Sequence, residues 1–507
     1  MTSLTLTGHD LKLADLRALE AGHPTVNLAE SARSAMQASV DAVRKVIDTS
    51  QVCYGINTGF GALARQHISR DRLTQLQYNL VRSHACGVGE PLPAAVVRRI
   101  LLLKANSLAI GNSGIRPEVV ETLLALLNHD VLPVVPSQGS VGASGDLAPL
   151  AHMTLALIGE GEAIHQGMRI EGAAVLKAAG VKPVQLEAKE GLALLNGTQL
   201  SAALAIQGWI GAERALAASI AIGSLTLEAL AGSYSPFDAR IHAVRNMRGQ
   251  IQVAERFRSL LTGSEIWKSH QGCDRVQDPY ALRCMPQVYG AVWDTLSHVQ
   301  GVLERELNSV SDNPLIFGDD VLSGGNFHAE PLAFVSDFMA IAAAELGNIA
   351  ERRIDLLLRK VNPRLPMFLA KDAGLESGFM IAHVTAAALA SENKTLAHPA
   401  SADTVPTSAG QEDHVSMAPW AGIKLNRALG NTFHILGVEA LAAAEAIDLQ
   451  RPLRTTTGLE SLHGAIRKRV PQASGDRRLD RGITTLAGSL GDGSLLADST
   501  PGLSRLF

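Results

Sequence analysis

Hydrophobic and polar positions change rhythm along the chain. In the first ~110 residues the pattern is mixed: Leu4 and Leu6 alternate with polar neighbours, Val26-Asn27-Leu28 repeats the alternation, and both read as short strands. From Ala29 to Thr49 the apolar side chains return at helical spacing, which predicts an amphipathic helix. Pro133, Pro136 and a glycine cluster break the chain before residue 146. Beyond that break the pattern is helical and rich in alanine. Long helices are predicted from Thr198 to Ala231, Ala291 to Asn308, Pro331 to Lys360, Phe379 to Lys394 and Lys424 to Leu449. Phe334, Phe338, Ile341, Leu346, Ile349 and Leu356 recur at helical spacing along the third, with Pro331 in its first turn and Pro363 past its end. Several of these helices would be about 25–35 residues long, well beyond the usual 11–12. They are apolar over more than one face, with Ala and Ser as spacers, so they need neighbours on most sides. A bundle core shared between subunits satisfies that need. No charged-flank heptad is sustained, and no internal repeat emerges. The tail from Gly475 to Ser504, rich in Gly, Asp, Arg and Ser, is predicted to be loop-like. Two regions follow: a mixed α/β region over residues 1–110, carrying Tyr54 and His84, and a helical bundle region over 111–507.

Composition narrows the partners. With 46% hydrophobic and 19% charged residues in 507, the chain can bury a large core. The net charge is −4, and Lys and Arg are scattered among Asp and Glu, so neither nucleic acid nor a membrane surface is indicated. A small-molecule substrate is the default. Met1 to Leu16 lacks a basic start followed by an apolar stretch, so no secretory signal is expected. The uncharged helical stretch Ala215 to Leu227 falls short of the ~20 apolar residues of a membrane span. Cys53, Cys86, Cys273 and Cys284 lie far apart without a CxxC, so neither a disulfide framework nor a metal site is expected, and a reduced cytoplasm fits.

The most unusual segment is Gly139-Ser140-Val141-Gly142-Ala143-Ser144-Gly145-Asp146-Leu147-Ala148-Pro149-Leu150. It fails as a phosphate cradle because no Gly-Lys-Ser/Thr follows, and its glycine spacing is wrong for a dinucleotide loop. Two readings remain open. One is a tight turn capping a helix, with Ser144 or Asp146 as N-cap. The other is chemical: the Gly145 nitrogen attacks the Ala143 carbonyl, and loss of two waters turns Ser144 into a methylidene group on an imidazolone ring. Glycine suits that closure because its amide must approach closely with unusual dihedrals, and alanine does not crowd the ring.

Gly142-Ala143-Ser144-Gly145-Asp146-Leu147-Ala148-Pro149-Leu150 resembles the signature of the ammonia-lyases of the aromatic amino acids, those acting on histidine, phenylalanine and tyrosine. The resemblance continues through Tyr54-Gly55-Ile56-Asn57-Thr58-Gly59-Phe60-Gly61, Asn196-Gly197-Thr198, Gln277-Asp278-Pro279-Tyr280-Ala281-Leu282-Arg283-Cys284, Gly325-Asn326-Phe327-His328 and Gln411-Glu412-Asp413-His414, in family order across nearly the whole chain. It implies a mainly α fold, a long-helix bundle of the fumarase/aspartase-like kind with a smaller mixed N-terminal region. It also implies a 4-methylidene-imidazol-5-one formed autocatalytically from Ala143-Ser144-Gly145, with no external cofactor. The family builds each active site from loops of more than one subunit, so a homotetramer is expected.

Roles carry over motif by motif. The resemblance implies that Tyr280 is the base for the β-proton and that Tyr54 assists where ammonia leaves. A tyrosine with its ordinary pKa of about 10 is a poor base near neutral pH, so the site must favour the phenolate. Arg283 follows Tyr280 by three residues, so one helical turn places both on one side, and its guanidinium suits a substrate carboxylate. Asn196 and Gln277 orient substrate and ring in the family, Phe327 packs beside the ring, and Asp146 assists cyclisation. Two positions bear on the substrate. Ser83-His84 falls where phenylalanine- or tyrosine-specific relatives carry Phe-Leu or His-Leu, and Glu412 falls where they carry Gln. An imidazole offers one donor and one acceptor to such a pair, whereas a benzene ring would leave both polar groups unpaired. The expected reaction is therefore L-histidine to trans-urocanate and ammonia, the first step of histidine degradation. The alternative is a tyrosine or phenylalanine lyase or a 2,3-aminomutase. Gly410, where histidine-type members usually carry Asn, and Cys86 depart from the pattern without removing a proposed chemical group.

Overall fold

The computed structural model describes residues 3–49, 51–272 and 275–507; Cys273 lies outside them. The short strands fall where alternation placed them: Ser3–Leu6 pairs in parallel with Thr25–Leu28, Leu6 opposite Leu28. The amphipathic helix follows as Glu30–Asp48, burying Met36, Val40, Val43 and Val46 at three- and four-residue steps. Cys53, Cys86 and Cys284 are free thiols.

Two compact units emerge. The first comprises residues 1–207, 301–336 and 399–423, and the second 208–300, 337–398 and 424–507. The first is mixed and holds the strands, including an antiparallel three-stranded sheet of Leu132–Pro133, Glu162–His165 and Met168–Glu171. Its Ala94–Ala109 helix is buried along most of its length, Ile100, Leu101, Leu102 and Ala105 among the apolar residues and Arg99, Lys104, Asn106 and Ser107 among the polar ones. The second unit is helical. Alanines 440, 442, 443, 444 and 446 are fully buried in the Ala418–Asp448 helix, where small side chains allow neighbours to approach closely. Within that apolar interior Arg353 donates Nε and Nη2 to the two oxygens of Glu439 at 2.6 and 2.7 Å, and the Thr226 hydroxyl donates to Glu439 at 2.7 Å. Such a pair is tolerated because the two charges meet in a two-point contact; removing one partner leaves the other buried and uncompensated.

The long helices are Gln199–Ala229, Met285–Glu306, Glu330–Leu358, Met380–Leu396 and Ala418–Asp448. Two begin about six residues before the sequence places them. In both, a proline, Pro286 or Pro419, occupies the first turn, where its missing N–H costs nothing. Gly290, inside the first of these, is a close contact: a side chain there would collide with the Gln250 backbone. The loop-like tail is a correction. Residues Asp480–Gly491 and Ser494–Ser499 are helical, because Ile483, Leu486, Ala487 and Leu490 form a buried stripe that outweighs the local glycine and serine content. The face on Glu330–Leu358 is divided: Leu346, Ile349 and Leu356 are buried, whereas Phe334, Phe338 and Ile341 are exposed. By length and composition Gln199–Ala229 and Glu330–Leu358 could each cross a membrane, which the uncharged-run criterion missed; their apolar windows are 89% and 72% buried inside the protein.

Candidate active site

The glycine cluster forms an irregular loop ahead of the Leu147–Leu157 helix. Gly142 and Gly145 take φ of +65° and +71°, the left-handed region that favours glycine. At Gly145 the requirement is also spatial: a Cβ would strike the backbone of Gly197, which pairs alongside it. Asp146 occupies the N-cap position but does not cap with its side chain. Its carboxylate instead accepts from the Ser201 backbone N–H at 2.8 Å, the Ser201 hydroxyl at 3.0 Å and the Ser140 hydroxyl at 3.2 Å. Complete burial pushes this carboxyl up to about 6, against the pull of the donors from Ser201 and Ser140. Its backbone N–H donates to the Gly197 carbonyl at 2.7 Å.

Ser144 is held at both polar ends. Its hydroxyl donates to Glu412 Oε1 at 2.7 Å, and its carbonyl accepts from Asn196 Nδ2 at 2.8 Å. Asn196 Oδ1 is buried and has no hydrogen-bond partner among the described residues, which leaves an acceptor beside the loop. A small Ala143, a Gly145 that nothing larger could replace and a polarised Ser144 carbonyl fit the imidazolone ring.

The loop opens onto a cavity of about 1320 Å³ within the first unit. Ala143, Ser144, Tyr54, His84, Asn196, Phe327 and Glu412 all line it. The Tyr54 hydroxyl accepts from the Gly61 N–H at 3.2 Å. His84, the last residue of the Leu73–His84 helix, has its Nδ1 3.1 Å from the Ser83 hydroxyl. Burial lowers the His84 pKa, while its backbone bond and the charge of Glu412 pull it back up. These side chains come from segments far apart in sequence and line one cavity.

Gln277, Tyr280 and Arg283 do not line this cavity; they lie in the second unit. Tyr280 opens the one-turn helix Tyr280–Arg283, and the Arg283 guanidinium sits 4.5 Å over its ring, so the three-residue spacing does place them side by side. Tyr280 is 70% exposed, Gln277 is exposed, and Arg283 Nε is buried without a partner among the described residues.

Several residues in and around the cavity were not foreseen. Thr407 holds Glu412 through its hydroxyl at 2.7 Å on Oε2 and through a backbone exchange. Ser201 binds Asp146, and Lys104 binds the Asn196 carbonyl at 2.6 Å. His328, Glu330 and His414 bring ligand-type atoms within 4.8 Å of one another, although no metal-ligand spacing announces them. His328 and His414 end two of the recognised motifs, and that position was their one available signal.

Comparison with known proteins fits this geometry. Residues 11–468 match the family described as aromatic amino acid lyase. A histidine ammonia-lyase of Paracidovorax citrulli (strain AAC00-1) is 54% identical over 481 residues, covering 94% of each chain. Among solved structures, a histidine ammonia-lyase from Trypanosoma cruzi superposes with a TM-score of 0.91 at 40% identity, covering 100% of this chain and 98% of its own. A tyrosine aminomutase from Streptomyces globisporus superposes with a TM-score of 0.92 at 36% identity, covering 98% of each. Fold alone does not separate these chemistries; the cavity side chains must.

Proposed function

The chain belongs to the aromatic amino acid lyase family, and from that premise we propose that it eliminates ammonia from L-histidine to give trans-urocanate, opening histidine degradation. One observation carries the proposal. The carboxylate expected to select an imidazole, Glu412, is hydrogen-bonded at 2.7 Å to Ser144, the residue expected to become the electrophile. Recognition and reaction therefore share one wall.

The ring from Ala143-Ser144-Gly145, once formed, supplies an electrophile that bonds to the amino acid. The chain's other groups bind and move protons. Glu412 and His84 take the imidazole's donor and acceptor, which a phenyl or phenol ring would leave unpaired at about 1–3 kcal/mol each. Asn196 offers its unpartnered Oδ1 to the substrate side of the loop. Phe327 packs in the cavity wall and excludes water, and Tyr54 stands where the amine departs. Arg283 grips the substrate carboxylate and Gln277 orients it, while Tyr280 takes the β-proton. These three are presented from an exposed segment of the second unit, which supports a homotetramer in which one subunit's segment completes another's cavity. Outward-facing Val276, Ile381 and Val384 are the apolar surface such an assembly would cover. The free thiols of Cys53, Cys86 and Cys284 suit a reducing cytoplasm.

Supplying histidine, tyrosine and phenylalanine in turn tests the substrate. Urocanate from histidine with negligible coumarate or cinnamate is expected; the reverse order of rates overturns the assignment. Borohydride inactivation tests the electrophile, since a helical scaffold without the ring would be indifferent to it.

A further inference from the structure

Lys104 has no part in the elimination, yet its surroundings point at the loop that makes the ring. It lies in the Ala94–Ala109 helix, 1% exposed, with Leu101, Leu103, Ala105 and Leu108 buried on either side of it in sequence. A leucine or methionine would pack there without the cost of burying a cation. Its ammonium donates to the Asn196 carbonyl at 2.6 Å and reaches Gln199 Oε1 at 3.5 Å. The charged groups that bear on it are Asp312, Lys189 and Asp146. Asp312 is already engaged by Lys189 at 2.7 Å, so the contacts of Lys104 are to neutral oxygens.

The peptide that Lys104 grips is the one that grips the loop. Asn196 Nδ2 donates to the Ser144 carbonyl at 2.8 Å, the Gly197 carbonyl accepts from Asp146 N at 2.7 Å, and Gly197 lies flat against Gly145. We propose that Lys104 is a positioning residue for ring closure, its ammonium fixing Asn196-Gly197 so that this peptide holds Ser144-Gly145-Asp146 in the reactive bend. This rests on the reading of Ala143-Ser144-Gly145 as the precursor of the ring.

The chemistry it assists balances as follows. A bond forms from Gly145 N to the Ala143 carbonyl carbon. The Ala143 oxygen leaves as water with the protons of the Gly145 and Ser144 amides, leaving a carbon–nitrogen double bond from Ala143 to Ser144 N. The Ser144 Cα–H bond then breaks, its electron pair forms Cα=Cβ, and Oγ leaves as the second water with its own proton and the one lost from Cα. That Cα–H is adjacent to the Ser144 carbonyl, so a donor on the carbonyl oxygen stabilises the charge as the bond breaks. Lys104 keeps that donor in place. Burial brings its pKa down to about 7, with the charge of Lys189 adding to the effect and Asp312 and Asp146 opposing it. The grip therefore weakens as pH rises through neutrality.

The test follows the mass of the Ser144 peptide in the full-length chain after cell-free synthesis, at pH values either side of about 7. Wild type should lose two waters. Lys104→Met should lose them about 10- to 100-fold more slowly, the usual weight of a charge-assisted hydrogen bond, and that gap should narrow above neutrality. Lys104→Gln, which keeps a donor without a charge, should recover part of the rate and lose the pH dependence. A folded Lys104→Met chain that closes its ring at the wild-type rate overturns the proposal, as does a Lys104→Gln chain that keeps the wild-type pH profile. If neither variant folds, Lys104 is a core residue and the proposal falls. If wild type itself shows no deficit, it is the ring reading that fails, a result distinct from either.

Discussion

Around Ser144 polar groups are held from several sides, whereas around Tyr280 little is held. Asp146 is fully buried with three donors on its carboxylate, and Ser144 is fixed at hydroxyl and carbonyl. The segment bearing Gln277, Tyr280 and Arg283 is tied down at Asp278, which accepts from Ser233 N at 2.6 Å and Arg275 at 2.9 Å. Around that anchor the segment faces outward: Tyr280 is 70% exposed, Gln277 is exposed, and neighbouring Val276 is 95% exposed, with Arg283 half-buried over the Tyr280 ring. Protein groups that must react with one another have to be preorganised within the chain that carries them. Groups that act on a substrate can arrive on a segment whose own chain leaves it unfinished. On the proposed reading, ring formation belongs to the folded chain and turnover to the assembly.

The largest effect that would break this contrast is at its buried side. Ser144→Ala should retain the fold, lose the two-water deficit and lower kcat/KM for histidine by at least about 10³-fold, because the covalent route is gone. Substantial turnover without the deficit would remove the distinction between the two regions. On the exposed side, Tyr280→Phe should keep the deficit in full and lower kcat by about 10²–10⁴-fold, the usual weight of a proton-transfer group. Mixing the two inactive proteins sharpens the point. If one subunit's Tyr280 serves another's Ser144 loop, reassembled mixtures regain activity; mixtures that stay dead place both groups of a site on one chain. A smaller loss belongs to the substrate: Glu412→Gln should form the ring yet lose about 5- to 150-fold in kcat/KM for histidine, equivalent to about 1–3 kcal/mol. An unchanged preference would remove Glu412 from selection.

How far the sequence carries this picture differs between the same two regions. The long helices were legible because apolar residues keep helical spacing over many turns, and Ser3–Leu6 and Thr25–Leu28 because alternation is unambiguous even in four residues. Tyr54, His84, Asn196 and Glu412 were legible as motifs, and the cavity brings them together. Thr407 and Lys104 were not. A threonine in a loop and a lysine inside an apolar helix have no local signature, since their partners lie across the fold. The tail helix at Asp480–Gly491 was obscured because Gly482 and Gly488 mark breaks in sequence while packing on Ile483 and Leu490 decides in space. The discontinuous units were hidden for a related reason: the chain passes from one to the other inside continuous helices such as Gln199–Ala229, where composition does not shift.

The last expected effect is read in stability rather than turnover and separates the two regions by pH. The Lys104 ammonium ionises near 7 in the folded chain and near 10.5 in its ordinary state, so folding is penalised in full below about pH 7, where both states are protonated. Between pH 7 and 10.5 the unfolded chain binds the extra proton, so the penalty is relieved as pH rises. Wild type should therefore gain stability from this group across that window, read as a rise in urea midpoint. Lys104→Met should lose this rise whatever its absolute stability, whereas Tyr280→Phe, on an exposed side chain, should follow the wild-type curve. Parallel curves for Lys104→Met and wild type would mean that Lys104 binds its proton equally well in the folded and unfolded chain, its neighbours fully offsetting its burial. The buried loop and the open segment would then differ in packing and not in how they titrate.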